Sequence, residues 1–275
     1  MPKLSIITIN LNNKVGLEKT INSVVSQTYT DFEYIIIDGG SKDGSLDVIE
    51  KYKKHFSYWV SEPDKGIYNA MNKGIAVAKG EYCLFLNSGD CLYETQVLES
   101  VFKLNPNQDI IYCDTYYAYP TGELKLLKSP DIVTLDFLAG NILFHQSMFI
   151  RTKLFDEIGM YDESFKISAD WEFYAKAILK NNVSYKHVNI AITVFDVSGI
   201  SANSHFEELR KNESLKAKLK IFPLFVWETA IELYQLKFQY NGIINSKSYK
   251  LIALLNKYNP FQLVKKLTGY IFPKR

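Results

Sequence analysis

Leu84-Phe85-Leu86-Asn87-Ser88-Gly89-Asp90 reads as an apolar strand that stops at a polar turn. Three consecutive large hydrophobic side chains suit a strand covered on both faces, as in a parallel sheet with crossover helices. The Asn-Ser-Gly-Asp turn then presents oxygen atoms at the exposed end of that strand. The same pattern recurs along the first 115 residues: residues 4–9 run into Asn10, 32–37 into Asp38, 58–60 into Glu62, and 110–113 into Asp114. Helical spacing fills the gaps. Leu17, Ile21, Val24 and Val25 share one face, residues 45–53 follow Asp43 as a helix cap, and residues 66–79 end at Gly80. Strands alternating with helices predict an α/β fold with a Rossmann-like, mostly parallel sheet flanked by helices.

Beyond residue 115 the strict alternation ends. Pro120-Thr121-Gly122 predicts a hairpin, a helix forms around Leu135, a strand at 147–150, an amphipathic helix at 169–179 and strand-like runs at 183–195. From Phe206 the pattern is helical and basic, with Pro223, Gly242 and Pro260 as breakpoints. The expected organisation is a catalytic domain at 1–205, divided into a nucleotide-binding half (1–115) and an acceptor half (116–205). A basic amphipathic helical appendage follows at 206–275.

The 275 residues are 47% hydrophobic and 23% charged, which excludes a disordered chain and allows one large domain plus an appendage. Cys83, Cys91 and Cys113 form no CxxC pair, so neither a disulfide framework nor a zinc site is expected. Residues 4–9 are too short for a signal-peptide core and lead into Asn10, Asn12 and Asn13, so a cytoplasmic protein is expected. The run 222–233 is cut by Glu228 and Glu232, short of the roughly 18 to 20 apolar residues of a membrane span.

The net charge of +2 is unevenly placed: residues 206–275 hold 13 Lys/Arg and 5 Asp/Glu, against 19 and 25 before them. Such a tail suits an anionic surface. Its Phe222, Phe225, Trp227, Tyr258, Phe261, Leu263, Tyr270 and Phe272 favour a lipid headgroup layer over nucleic acid, hence peripheral attachment to a membrane surface. The competing expectation is a helical pair packed on the catalytic domain or across a homodimer interface.

In open parallel sheets ligands bind beyond the carboxyl ends of the strands. There the chain places Thr8 to Asn12, Asp38 to Gly44, Glu62 to Gly66, Asn87 to Asp90 and Asp114. The segment Asp38-Gly39-Gly40-Ser41-Lys42-Asp43-Gly44 lacks both a Gly-Lys-Ser/Thr ending and a GxGxxG spacing, which argues against a Walker ATPase or a dinucleotide-binding dehydrogenase. A Gly-rich turn capped by Asp43 accounts for all of it except Asp38. At Asn87 to Asp90, one carboxylate with an amide neighbour suffices for magnesium or manganese when phosphates complete the shell. A plain type I turn is the competing reading.

Four segments in order, Ser5-Ile6-Ile7-Thr8-Ile9-Asn10, the block from Ile36 to Gly44, Glu62-Pro63-Asp64-Lys65-Gly66-Ile67-Tyr68-Asn69-Ala70-Met71-Asn72-Lys73-Gly74, and Phe85 to Asp90, resemble glycosyltransferase family 2 with its GT-A fold. The resemblance covers about residues 3 to 200. Its 62–74 run and Asn-Ser-Gly-Asp turn are similar to a bacterial branch that builds colanic-acid-type and other surface polysaccharides. It implies a nucleotide-diphosphate sugar, a UDP-sugar first, lying across the strand ends. Thr8, Asn10, Asp38, Asp64, Lys65, Gly66, Asn72, Asn87, Ser88 and His145 form the implied binding set, with Asp38 accepting from a base N–H.

The same resemblance places Asn87, Ser88 and Asp90 on a metal motif that is Asp-x-Asp-Asp in many members. Asn87 and Gly89 replace the first two acids, so Asp90 becomes the anchor for Mg or Mn. Asp170, in Ile167-Ser168-Ala169-Asp170-Trp171-Glu172-Phe173, falls where the family carries its catalytic base, implying an inverting transfer. A capping Ser168 and an Asp in the first helical turn, worth about 0.3 to 1 kcal/mol, give the competing structural account. His145-Gln146 resembles a pair of this branch near the donor sugar or acceptor. His205 and the loop Ser198 to Ser204 are candidates for the metal shell and for closure over the diphosphate. The implied acceptor is a lipid-linked glycan at the inner face of a bacterial membrane. Alternatives are a sugar nucleotidyltransferase, whose Gly-rich Arg/Lys loop the chain lacks, and a nucleotide-sugar-binding subunit without catalysis.

Overall fold

The computed structural model describes residues 1–119, 121–196 and 204–247. From the N-terminus the chain runs β1 (Leu4–Asn10), α1 (Lys14–Val25), β2 (Phe32–Asp38), α2 (Ser45–Tyr52), β3 (Tyr58–Ser61), α3 (Ile67–Val77), β4 (Tyr82–Phe85), β5 (Cys91–Leu92) and α4 (Val97–Phe102). It continues through β6 (Ile110–Ala118), β7 (Leu124–Leu127), α5 (Leu135–Gly140), β8 (Met148–Arg151), α6 (Lys153–Glu157), α7 (Ala169–Leu179), β9 (Tyr185–Asp196), α8 (Glu207–Ile221) and α9 (Leu224–Asn245).

The described strands form one sheet in the order β3-β2-β1-β4-β8-β6-β9-β5, with β7 paired to β6. All seven residues of β1 are buried, because β1 lies between β2 and β4 in parallel pairing. A strand covered on both faces has no wet side to mark with alternation, which explains the unbroken apolar runs. α1 packs through Leu17, Ile21 and Val24, and α3 through Tyr68, Ala70, Met71 and Ile75.

β8 enters antiparallel between β4 and β6, and there the repeating strand and helix order is lost. β6 runs on to Ala118 and slips register against β9 at Asp114, pairing Cys113 with Val188 but Asp114 with Ala191. No glycine or proline marks that bulge.

Among the described residues, those of 1–134 and 141–224 form one compact unit, and 135–140 cluster with 225–247 as another. In the second unit Lys237 pairs with Asp136 at 2.8 Å, and the Tyr234 ring lies where a Cβ at Gly140 would stand. This division differs from the expected boundary after residue 205, since α8 belongs to the first unit. Its inner stripe is Glu213, Ala217 and Ile221, all buried at i, i+4 and i+8. One of the three is a carboxylate, so the stripe reads as polar surface in sequence.

The cap expectations shift as well. Gly44, at φ +90°, occupies the cap of α2, while Asp43 accepts from the Ser45 N–H one position on. All three cysteines are free thiols. No helix among the described residues is long and apolar enough to cross a membrane. The tail aromatics from Tyr258 onward, and residues 197–203 of the glycine and serine loop, lie outside the described residues.

Candidate active site

Register brings the first pair of polar residues together. Asn10 and Asp38 are partners across β1 and β2, and Asn10 Nδ2 donates to Asp38 Oδ1 at 2.7 Å. Asp38, fully buried, also accepts from Ser41 Oγ at 2.6 Å, Ser61 Oγ at 2.6 Å, Ser41 N at 2.9 Å and Gly40 N at 3.1 Å. Burial pushes this carboxyl up, but the bonds from Ser41, Ser61 and Asn10 outweigh it and hold the group below the usual carboxylate range. Asp38 therefore shapes the 39–41 loop, and its five acceptor bonds leave no vacancy for a base N–H in this conformation. Thr8 is likewise turned inward, its hydroxyl 3.0 Å from Tyr34 Oη within the core.

The end of β3 supplies a second group. A Cβ on Gly39 would meet Asp64 Oδ2 at 2.5 Å, so glycine there lets the Asp64 carboxylate lie against the backbone beyond β2. Asp64 Oδ1 accepts from Gly66 N at 3.0 Å, and Gly66 adopts φ +126° at the start of α3. Lys65 is exposed. Asn72 is not open to a ligand: its amide clamps Tyr161 O at 2.9 Å, Glu163 Oε1 at 3.0 Å and Tyr161 N at 3.1 Å.

The turn after β4 is built differently. Leu86 and Ser88 continue the ladder by donating to Ile7 O and Ile9 O, and Asp90 N closes the turn on Asn87 O at 3.0 Å. Thr20 of α1 ties it down, accepting from Gly89 N at 2.9 Å and donating to Asp90 O at 2.6 Å. Asn13 holds Ser88 O, and Lys19 reaches Gly89 O at 3.1 Å. Gly89 has φ +110°, and a Cβ there would fall 2.6 Å from Asp196 Oδ2.

Asp90 is buried, and its Oδ1 accepts from Asp196 N at 2.8 Å. Burial pushes its carboxyl up to about 6, against the opposing pull of the Asp196 N–H, His145 and Lys19. Asn87 Oδ1 is buried without any hydrogen-bond partner. Among the described residues no three His, Cys, Asp or Glu side chains gather as a metal cage.

A third cluster faces this turn. Asp170, second residue of α7, accepts from Tyr68 Oη at 2.7 Å on Oδ1 and lies 2.9 Å from His145 Nδ1 through Oδ2. His145 Nε2 in turn stands 3.3 Å from Asn87 Nδ2. The Asp170 and His145 side chains are 17% and 18% exposed, so both are largely buried but not sealed from solvent. Burial raises Asp170, yet the hydrogen bond and charge of His145, with the Tyr68 hydroxyl, hold it below its ordinary value. His145 is raised: burial opposes its charged form, and Asp170 and then Asp90 more than compensate.

The α7 entrance is held from outside. Ser168 stands at the cap position, but its side chain makes no capping bond. Buried Glu213 of α8 instead accepts from Lys166 N at 2.7 Å, Ile167 N at 2.8 Å and Ser168 N at 3.2 Å. Neither Glu213 nor Tyr68 carries a site role in the sequence reading. Tyr68 sits within the quoted 62–74 run, but an aromatic at helical spacing reads as core. His205 is exposed on a short turn before α8.

Comparison with known proteins fits this geometry. Residues 5–169 match the family described as Glycosyl transferase family 2. An uncharacterized glycosyltransferase of Mycobacterium tuberculosis is 34% identical over 218 residues, which are 76% of this chain and 82% of that protein. A PGL/p-HBAD biosynthesis glycosyltransferase of Mycobacterium bovis is 28% identical over 227 residues, 80% and 87% of the two chains. Among solved structures, Staphylococcus aureus TarS 1–349 in complex with UDP-GlcNAc superposes with a TM-score of 0.63 at 19% identity, covering 85% of this chain and 71% of that one. A mannosyltransferase of Pyrobaculum calidifontis in complex with GDP-Man and Mn2+ gives 0.57 at 14% identity, covering 100% and 88%. The fold is the α/β GT-A fold.

Proposed function

The chain belongs to glycosyl transferase family 2, and on that premise we propose that it is an inverting enzyme using a nucleotide-diphosphate sugar, a UDP-sugar first. The acceptor is a lipid-linked glycan of bacterial surface polysaccharide assembly, of the colanic-acid, capsule or exopolysaccharide kind. The observation that carries this reading is Asp170: a largely buried carboxylate with a small exposed remainder, fixed by Tyr68 and His145, facing the turn that bears Asn87 and Asp90. Held below its ordinary value, Asp170 is ionised at neutral pH and free to accept a proton. It takes that proton from the acceptor hydroxyl as the oxygen attacks the anomeric carbon from the face opposite the diphosphate. The donor lies across Asn10, the 39–41 backbone, Asp64, Lys65, Gly66 and Ser88.

Magnesium or manganese, when bound, supplies charge stabilisation for the departing diphosphate. The residues fit such an ion. Asn87 Oδ1 is a buried acceptor without a donor, and Asp90 is a carboxylate whose charge is poorly compensated, so both gain from a hard cation. With so few protein oxygens, firm binding waits for the diphosphate.

We place the enzyme on the inner face of the membrane. Support comes from exposed Phe225, Leu236, Phe238, Tyr240 and Ile243 on α9, together with the basic tail. Removing residues 248–275 should weaken binding to anionic vesicles and leave UDP binding unchanged; unaltered vesicle binding would discard this part and favour a homodimer contact. The enzymatic reading is tested by nucleoside diphosphate release with candidate donors. Binding of donors without release would favour the non-catalytic subunit that Asn87 and Gly89, in place of acids, suggest.

A further inference from the structure

Both ring nitrogens of His145 are engaged within the protein. Nδ1 stands 2.9 Å from Asp170 Oδ2, and Nε2 3.3 Å from Asn87 Nδ2. A neutral imidazole has one donor and one acceptor nitrogen. The Asn87 amide N–H facing Nε2 makes Nε2 the acceptor and leaves the proton on Nδ1, aimed at Asp170. When the ring is charged, Nε2 also carries a proton. A half-turn of the amide would then offer Asn87 Oδ1 to the ring and withdraw it from a cation, so the neutral ring is the form that goes with an occupied metal site. The Nδ1–H contact to Asp170 is common to both forms. Neither form leaves a ring nitrogen for a sugar hydroxyl or a phosphate oxygen, which counts against the donor-binding role expected from sequence.

The backbone beneath the ring is stiff. His145 opens a short 3₁₀ turn (His145–Ser147) whose other two residues are buried, and the turn leads straight into β8, between β4 and β6. A side chain anchored in this way can hold a partner in place. Asp170, by contrast, sits in the first turn of a helix, where its hydrogen-bond partners set the orientation of its carboxylate.

We propose that His145 is a positioning residue for Asp170. Its Nδ1–H on Oδ2 and the Tyr68 hydroxyl on Oδ1 lock the carboxylate plane, with the Trp171 N–H as a further donor, and leave acceptor capacity on the carboxylate for the acceptor hydroxyl. The inference rests on Asp170 as the base. It separates orientation, supplied by His145, from donor binding, supplied elsewhere along the sheet edge.

The test uses replacements that differ in where they put an N–H. Asparagine places its amide nitrogen near the Nδ1 position, glutamine near Nε2, and alanine supplies neither. With UDP-N-acetylglucosamine or GDP-mannose, whichever the wild type turns over, His145→Ala and His145→Gln should slow nucleoside diphosphate release roughly 10- to 100-fold, the scale of a displaced catalytic group. His145→Asn should recover most of the rate. All three should bind UDP with Mn2+ as the wild type does, within about threefold. In an Asp170→Asn background His145→Ala should add no further loss.

Independently of any donor, ¹⁵N spectra of the neutral ring should show the Nδ1–H tautomer. An Nε2–H tautomer, an Asn variant no better than Ala, or UDP affinity weakened by about tenfold or more would each overturn the proposal. Full turnover by Asp170→Asn is a separate failure, which removes the base assignment whatever the His145 variants do.

Discussion

Asp38 and Asp90 are both buried carboxylates at the same edge of the sheet, one ending β2 and the other in the turn after β4, and their chemistry is opposite. Asp38 accepts five hydrogen bonds and is held low; Asp90 accepts one backbone N–H and is pushed up to about 6. Burial acts on both in the same direction but harder on Asp90, which the Asp196 carboxylate also raises, while the many donors around Asp38 outweigh its burial. A carboxylate satisfied by its own loop is part of the scaffold. One left short of positive charge in a cleft is a candidate ligand site.

The largest effect expected from this contrast is structural. Asp38→Ala strips acceptors from Gly40 N, Ser41 N, Ser41 Oγ, Ser61 Oγ and Asn10 Nδ2 at once, and should lower unfolding free energy in urea by roughly 3 to 5 kcal/mol. A loss under about 1 kcal/mol would mean that the network contributes little and that Asp38 is free for other work.

Asp90 should show the reverse through pH. Its folded value lies above the unfolded one, so the folded protein binds more protons between the two and stability falls as pH rises from about 4 to about 6. The shift of about two units corresponds to about 3 kcal/mol, an order of magnitude to be read from urea midpoints. Asp90→Asn keeps an acceptor for Asp196 N and should remove that pH dependence, leaving the ligand-free protein more stable at pH 8 than the wild type. Asp38, depressed, contributes stability at neutral pH that is lost as pH falls below the ordinary aspartate range. An Asp90→Asn variant less stable at pH 8 would break the contrast.

Glu213 is a third buried carboxylate, satisfied by three N–H groups at the entrance to α7. Glu213→Gln weakens charge-assisted bonds without emptying the site, so a loss of about 1 to 2 kcal/mol is expected. Turnover should fall with UDP affinity unchanged, because the segment it holds leads to Asp170. A change in UDP affinity alone would place Glu213 with the donor instead.

These contrasts also mark how much could be read from the chain. The apolar runs of β1, β2 and β4 announced their strands, since central parallel strands have only one way to read. The same runs placed Asn10, Asp38 and Asp90 beyond their ends. Which carboxylate was finished and which was not depended on Ser41, Ser61 and Asp196, whose contact with these groups follows from loop conformation rather than spacing. The antiparallel entry of β8 left no periodic mark, and the bulge at Asp114 had no glycine to signal it. Glu213 sat in a helix that reads as part of a basic amphipathic appendage. Its burial comes from α7, 40 residues earlier in the chain.

The most direct measurement of the central claim, that the turn at Asn87 to Asp90 is where the diphosphate and its cation meet the protein, is thermal unfolding with UDP, with and without Mn2+. The wild type should gain about 2 to 3 kcal/mol at a hundredfold excess over Kd, and Mn2+ should supply much of that gain. Asp90→Asn should keep its fold and lose the part that depends on Mn2+. An Asp90→Asn protein that retains the full Mn2+-dependent gain would contradict the account.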